Sequence, residues 1–253
     1  MKISGNTILI TGGASGIGLE FATQFLGLKN TVIVTGRDLS KLNALKKKFP
    51  KIHIYKSDVS DPAQIKSLYQ KVTKDFPALN ILINNAGVMR VIDLNAKSGS
   101  QDLGREIEIN LLGTVRMVEQ FLPHLKTKKT AAILNVSSGL AFLPLPNAPI
   151  YCATKAAVHS YSLSLRVQLE KTNVKVFELA PPATKTPLID GLATDSFNRN
   201  SRGVMEVDKM VTIAIKGVEG NQYEVCPGQS NLLRIMSRVA PSFMLKQLSK
   251  SVS

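Results

Sequence analysis

Short apolar runs alternate along this chain with longer stretches in which apolar residues recur at helical spacing. The apolar runs are rich in Val, Ile and Thr and end at glycines or polar residues, as strands do. Seven strands are predicted in this way, at residues 7–10, 31–35, 52–55, 81–83, 131–136, 174–177 and 222–225, with helical stretches such as 40–49 and 62–76 between them. Continuous apolar strands separated by helices are typical of a parallel sheet covered on both faces. The pattern predicts a doubly wound α/β fold with a mainly parallel seven-stranded sheet.

Length and composition indicate one globular domain over residues 1–253, since no repeat or low-complexity linker divides the chain. Two cysteines are too few for a disulfide framework, which favours a reducing, cytoplasmic setting. The apolar run near the start meets glycines almost at once, so neither a secretory signal nor a membrane span is expected there.

The chain is basic, with 32 Lys and Arg against 18 Asp and Glu and a formal net charge of +14. Such a charge can indicate nucleic acid or an anionic membrane as a partner. The lysines are dispersed, however, and neither a zinc-finger nor an RNP-type motif is present. A basic solvated surface that suits anionic ligands is the favoured interpretation, and no nucleic acid is expected. The three histidines lack ligand spacing, so no metal is expected either.

A glycine turn follows the first predicted strand, with the spacing Gly12-x-x-x-Gly16-x-Gly18. Glycines allow a tight turn and let backbone amides approach a pyrophosphate at a helix N-terminus, where the helix dipole favours negative charge. Taken alone, such a cluster is also compatible with a structural turn that binds nothing. Its position between a strand and a helix favours the nucleotide site.

The second predicted strand ends at Gly36 and Arg37, where NAD sites usually carry an acidic residue for the adenosine ribose. Because Gly36 removes the acid and Arg37 offers a guanidinium to a phosphate, NADP is favoured over NAD. The alternative is that Arg37 is only the solvated start of a helix capped by Asp38 or Ser40.

Two further polar segments follow the third and fourth predicted strands. Asp58 is placed to meet the adenine region, unless it or Asp61 simply caps the next helix. Residues 84–87, Asn-Asn-Ala-Gly, can lock their strand to its neighbour and leave room for a cofactor, or can form a plain polar turn.

Tyr151 and Lys155 lie four residues apart in a helical stretch and therefore share one face. A lysine ammonium beside a phenol is expected to lower the phenol's pKa and make proton transfer practical at neutral pH. Ser138 follows the strand that ends at Val136, so its hydroxyl is placed to polarise a carbonyl oxygen. Asn110 interrupts a helical stretch; it either holds water near Lys155 or makes a structural kink or buried hydrogen bond.

Together these motifs resemble the classical short-chain dehydrogenase/reductase family over residues 5–226, in family order and with family spacing. The resemblance implies a Rossmann fold and hydride transfer between a nicotinamide and a carbonyl or secondary alcohol. It implies Tyr151 as acid/base, Ser138 at the substrate oxygen, Lys155 at the nicotinamide ribose and Asn110 in a water relay. The cofactor residues it implies are Gly12, Ser15, Gly16, Ile17, Gly18, Arg37, Asp58, Val59, Asn85, Ala86, Gly87, Tyr151, Lys155, Pro181, Thr184 and Thr186.

The chain departs from the family pattern at two places. Pro182 stands where the family often has glycine, so the loop near the nicotinamide is expected to differ, although Thr186 still matches the position expected to contact the carboxamide. Ser15 stands where many NADP-preferring members carry a basic residue, which leaves Arg37 without that help. The segments around Arg37 and Pro182 most resemble the DltE-type bacterial oxidoreductases.

The C-terminal third holds the segments that vary most within the family. Residues 187–203 match the substrate-covering loop, with Leu188, Ile189, Leu192 and Phe197 able to face a substrate and Lys185, Arg199 and Arg202 able to attract an anion. Pro144, Leu145 and Pro146 are expected on the opposite wall. The tail, 229–253, is basic and amphipathic; packing on its own domain is favoured over contact with a membrane or another subunit. The resemblance implies a homo-oligomer, a dimer or tetramer.

The sequence therefore predicts an NADP(H)-dependent oxidoreductase acting on a small carbonyl or alcohol. The alternative from another class is a non-catalytic dinucleotide-binding sensor on the same fold, for which a complete proton-transfer set would be superfluous. An epimerase or dehydratase of the related extended group is disfavoured, because the region after Lys155 is short for a sugar-nucleotide domain.

Overall fold

The structure, a computed structural model, describes residues 1–93, 102, 104–189 and 203–250. Its seven strands form one all-parallel sheet in the order β3-β2-β1-β4-β5-β6-β7, which confirms the predicted fold. The last strand is two residues long, where four residues had been predicted. The strands are β1 Thr7–Thr11, β2 Thr31–Gly36, β3 His53–Lys56, β4 Leu79–Asn84, β5 Ala131–Val136, β6 Val174–Leu179 and β7 Glu224–Val225.

Helices cover both faces of this sheet. They are α1 Gly16–Gly27, α2 Leu39–Lys48, α3 Pro62–Asp75, α4 Gly113–Lys126, α5 Pro149–Gln168, α6 Val207–Glu219, α7 Gln229–Val239 and α8 Pro241–Lys250. A π-helical turn, Ile107–Leu112, leads into α4, and a 3₁₀ turn, Gly139–Ala141, follows β5. Among the described residues, no helix is both long and apolar enough to span a membrane.

Alternation along the buried strands divides the core into two layers. In β1, Ile8 and Ile10 face the layer that contains Phe21 of α1, while Leu9 faces the layer that contains Phe121 of α4. All five residues of β1 are buried, which is why its three central residues are all apolar and show no alternation with polar residues.

The strand order reverses between β1 and β4, since β2 and β3 extend the sheet on one side and β5 to β7 on the other. In open α/β sheets the carboxyl ends of the strands at such a point enclose a crevice where ligands bind. The glycine turn leaves β1 at this crevice, and residues 84–87 leave β4 beside it.

Parts of the predicted substrate loop lie outside the described residues, including Leu192, Phe197, Arg199 and Arg202. In the described part, Lys185 forms an ion pair with Glu206. An anionic substrate attracted by Lys185, as predicted, would therefore have to compete with Glu206.

Candidate active site

The glycine turn has the backbone geometry that the sequence requires of it. Gly12 and Gly16 have φ values of +64° and +53°, a region that side-chain-bearing residues rarely adopt. A Cβ at Gly18 would lie 2.5 Å from Asn85 Nδ2 and 2.6 Å from the Gly12 carbonyl oxygen. Any other residue at these positions would strain or displace the turn, which places the N-terminus of α1 at the crevice.

Residues 84–87 lock the end of β4 to the end of β1. Asn85 Nδ2 donates to the Thr11 carbonyl oxygen at 2.9 Å, and Thr11 Oγ1 accepts from the backbone N–H groups of Asn85 and Ala86, both at 3.0 Å. Asn84 Nδ2 donates to Asn135 Oδ1 of β5 at 2.9 Å. This confirms the locking role that was predicted for the segment and excludes a plain polar turn.

One cavity of about 570 Å³ runs along the crevice. Every predicted cofactor residue except Gly18 lines it, as does Ser138, whereas Asn110 lies behind the wall. Its volume suits a drug-sized or larger ligand.

Among the described residues, no group of three or more His, Cys, Asp or Glu side chains is arranged to hold a metal ion.

Charged groups line the end of the cavity beyond β2. Arg37 is exposed there, and Lys41, one turn into α2, adds a cation that sequence reasoning missed. Asp38 caps α2 by accepting from the backbone N–H of Lys41 at 3.1 Å, so the predicted cap is present beside an exposed Arg37. The buried hydroxyls of Thr35 and Ser57, both in this wall, lack a hydrogen-bond partner among the described residues. Polar atoms buried without a partner are what a bound polar ligand would satisfy.

Asp58 also lines this end, and its carboxylate accepts from the Ser60 backbone N–H at 2.9 Å and from the Ser60 hydroxyl at 2.7 Å. Asp61 caps α3 by accepting from the backbone N–H groups of Ala63 and Gln64. The cap is therefore Asp61, and Asp58 is left at the cavity.

Tyr151 and Lys155 lie on the face of α5 that closes the middle of the cavity, beside Ser138. Lys155 Nζ is 5.7 Å from the centre of the Tyr151 ring and donates to the Val136 carbonyl oxygen at 2.8 Å. Ser138 Oγ accepts from the backbone N–H of Leu140 at 3.1 Å. The three side chains that were predicted to act together are thus neighbours, although Ser138 is thirteen residues away from Tyr151 in sequence.

The pKa of Tyr151 differs in direction from the sequence-based expectation. Burial raises it well above the ordinary value, and a hydrogen bond with Ser138 opposes that rise only in part. Burial also lowers the pKa of Lys155 to about 8, against an opposing effect of Glu178. Both shifts follow from desolvation, which disfavours the phenolate and the ammonium alike. Tyr151 is consequently a protonated phenol at neutral pH, the form that a proton donor needs.

Asn110 lies in the π-helical turn and is almost fully buried. Its amide bridges two segments, because Oδ1 accepts from the Val88 backbone N–H at 2.8 Å and Nδ2 donates to the Val88 carbonyl and the Thr154 hydroxyl. The buried hydrogen bond predicted for Asn110 is present, and one of its partners, Thr154, directly precedes Lys155 in the sequence. The water relay predicted for Asn110 stays a prediction.

The loop after β6 closes the cavity from the other side. The Pro181 carbonyl accepts from the Gly139 backbone N–H at 2.8 Å, and the Pro182 carbonyl accepts from the Thr184 hydroxyl at 2.8 Å. Thr186 packs against Gly16, since a Cβ added to Gly16 would lie 3.3 Å from Thr186 Cβ. The second proline is accommodated in a loop whose residues reach the glycine turn.

Apolar side chains line the end of the cavity beyond Tyr151. They are Met89, Leu140, Leu145, Leu188, Ile189, Leu233 and Leu248. Leu188 and Ile189 had been predicted to face a substrate and Leu145 to lie on the opposite wall, whose Pro144 and Pro146 do not line this cavity. Leu233 of α7 and Leu248 of α8 had been assigned only to an amphipathic tail. The tail therefore packs partly on its own domain, and Ser230 of α7 is fully buried against Gly139. Its other face exposes Leu232, Ile235, Val239 and Phe243.

The family model for short chain dehydrogenase matches residues 6–218 of the chain. Oxidoreductase DltE of Bacillus subtilis is 41% identical over 252 residues, which cover 98% of each chain. A short-chain dehydrogenase from Sphingobium yanoikuyae, solved in complex with NADPH, superposes with a TM-score of 0.80 at 26% identity over 96% of this chain and 95% of that one. A short-chain dehydrogenase/reductase from Burkholderia phymatum, solved in complex with NAD, superposes with a TM-score of 0.83 at 22% identity over 98% of this chain and 96% of that one.

Proposed function

Because the chain belongs to the short-chain dehydrogenase family, we propose that it is an NADP(H)-dependent oxidoreductase that interconverts a carbonyl and a secondary alcohol. One observation supports this above the others: Ser138, Tyr151 and Lys155 line the middle of one cavity, between a charged end and an apolar end. A dinucleotide fits the charged end and a small carbonyl fits the apolar one.

The residues of the chain fit a nicotinamide dinucleotide. The glycine turn and the N-terminus of α1 would receive the pyrophosphate, the wall around Arg37 and Asp58 the adenosine, and Lys155 and Thr186 the nicotinamide end. When bound, the dinucleotide supplies the hydride that reduces the carbonyl carbon.

During carbonyl reduction, Tyr151 donates its phenolic proton to the substrate oxygen as the C=O bond becomes a C–O single bond. Ser138 donates a hydrogen bond to the same oxygen and stabilises the negative charge that develops there. The ammonium of Lys155 stabilises the phenolate that remains, and a proton from solvent then restores the phenol. The raised pKa of Tyr151 keeps the phenol protonated at neutral pH, so the proton donor is in place for reduction.

The proposed activity predicts oxidation of NADPH in the presence of apolar aldehydes and ketones. Each further buried methylene should raise kcat/KM by about fourfold, since burying a methylene is worth about 0.8 kcal/mol. The measurement is the loss of NADPH absorbance across a panel that runs from short to medium apolar chains and includes 2-oxo acids as charged controls. Tight NADPH binding without turnover of any carbonyl would instead support the non-catalytic sensor.

One of the two similar solved structures is a complex with NAD and the other a complex with NADPH, so Arg37 carries the proposed preference for NADPH. Replacing Arg37 by alanine removes a guanidinium at the place where the 2′-phosphate would lie. We expect kcat/KM for NADPH to fall by about 10- to 100-fold, because one charge-assisted hydrogen bond is lost. The kcat/KM for NADH should change little.

The matched control is Lys47→Ala, which removes an exposed cation from the same segment outside the cavity wall. Comparing the two cofactors on both variants separates a local contact from the general effect of net charge. An Arg37→Ala protein that keeps its preference for NADPH would exclude this role, and Lys41→Ala would then be the variant to examine.

The homo-oligomer and the cytoplasmic location remain predictions. Leu163 and Val167 are exposed on α5, which is the helix that the family resemblance places at a subunit contact.

A further inference from the structure

A buried carboxylate that the proposed mechanism does not use lies behind the site. Glu178 of β6 is 0% exposed. One of its oxygens accepts from the Ser137 hydroxyl, and the other lies 2.8 Å from His159 Nδ1. A buried carboxylate is costly unless its oxygens have partners, and here Ser137 and His159 each contact one oxygen. Ser137, His159 and Glu178 are called the Glu178 cluster below.

The Glu178 cluster is connected to the proposed catalytic residues through the backbone, once at the end of β5 and once along α5. Ser137 directly precedes Ser138, and His159 lies one helical turn after Lys155 on α5. Lys155 Nζ donates to the carbonyl of Val136, the residue before Ser137. The strand register aligns Asn135 with Glu178, so the end of β5 and the carboxylate lie side by side.

Glu178 acts electrostatically on two titratable side chains of α5. The hydrogen bond to Glu178 raises the pKa of His159, and the negative charge of Glu178 acts on Lys155 against the effect of burial. The other titratable or charged groups that face the cluster are Arg166 of α5, Glu224 of β7, Cys226 after β7, and Arg234 of α7, which pairs with Glu224 at 3.1 Å. Glu178 is thus a fully buried carboxyl group that acts on two side chains of one helix, His159 and Lys155.

We propose that Glu178 is a positioning residue for the reaction: its carboxylate, held by Ser137 and His159, keeps Lys155 in the ammonium form and secures the end of β5 that carries Ser138. The effect expected on turnover rests on the proposed function. Its electrostatic part concerns only the chain and can be measured without a substrate.

The test compares Glu178→Gln with Glu178→Asp. Glutamine keeps the size and an acceptor for Ser137 but removes the charge, whereas aspartate keeps the charge on a shorter side chain. Losing the anion lowers the pKa of Lys155, so in Glu178→Gln the alkaline decline of kcat for carbonyl reduction should begin about one pH unit lower. KM for the carbonyl should change little. Glu178→Asp should keep the wild-type profile even where it lowers the melting temperature.

The control is Glu224→Gln, the same change on the neighbouring strand, where the carboxylate pairs with Arg234; it should leave the alkaline limb in place. A purely structural Glu178 gives the opposite ranking, with a normal pH profile for glutamine and the larger defect for aspartate. That ranking would overturn the proposal.

A substrate-free measurement separates this inference from the proposed function. In protein labelled with ¹⁵N at the lysine Nζ atoms, with Lys155→Met for assignment, NMR should show Lys155 charged at pH 7 in the wild type and titrating at lower pH in Glu178→Gln. A wild-type Lys155 that is neutral at pH 7 contradicts the proposal even if Glu178→Gln does not fold. A shift in Lys155 without any carbonyl turnover would support the electrostatic link while the proposed function fails.

Discussion

Replacing Tyr151 by phenylalanine should lower kcat for carbonyl reduction by about 10²- to 10⁴-fold, the usual contribution of a positioned proton donor. The ring is buried between Ser138 and Lys155, so phenylalanine keeps the packing and removes only the hydroxyl. NADPH binding, followed by quenching or transfer of fluorescence, should stay within a few fold because the phenol proton is needed only in the chemical step.

Tyr161 provides the control on the same helix. It is partly buried against the other core layer and does not line the cavity, so Tyr161→Phe should retain wild-type kcat. Equal turnover by Tyr151→Phe and wild type would defeat the proposed mechanism and would require another proton donor for the reduction.

Gly18→Ala should disrupt the turn at the start of α1. The new Cβ would lie 2.6 Å from the Gly12 carbonyl oxygen and 2.9 Å from Gly13 Cα, so the backbone of the turn must move. Overpacking of this kind costs about 1–3 kcal/mol, and the same displacement should weaken NADPH binding by about 10- to 100-fold. Thermal unfolding and a fluorescence titration with NADPH measure the two effects.

Gly27→Ala is its matched control, because Gly27 ends the same helix in open space, with no atom within 4 Å of an added Cβ. Alanine should there stabilise the protein by about 0.5–1 kcal/mol. If Gly18→Ala behaves like Gly27→Ala, the close contact with the glycine turn is not a constraint and the pyrophosphate site would need another explanation.

The strands and the motifs could be predicted from the sequence because each depends on a local signal. The buried strands appear as continuous apolar runs, the turn at Gly12 and Gly16 appears as glycine spacing, and Tyr151 and Lys155 face the same way because four residues make about one helical turn. Lys41 was missed because its role depends on how α2 leaves β2, which no local pattern encodes.

Other parts of the site depend on contacts between residues far apart in the chain. Glu178 and His159 are nineteen residues apart, on a strand and a helix that pack only in the folded chain, and either alone looks like an ordinary polar residue. Leu248 lies near the end of the chain but lines the apolar end of the cavity. No spacing rule links such residues.

By itself, the sequence determined the fold class and the family, because strand periodicity and motif spacing follow from backbone geometry. It also predicted residues that the structure brings together in one cavity. Only the tertiary structure decided how these groups ionise. A lysine beside a tyrosine suggests a lowered phenol pKa, yet burial raises the pKa of Tyr151 and lowers that of Lys155. The physical reason is that the pKa of a group depends on everything packed around it, including Glu178, which no sequence motif connects to the site.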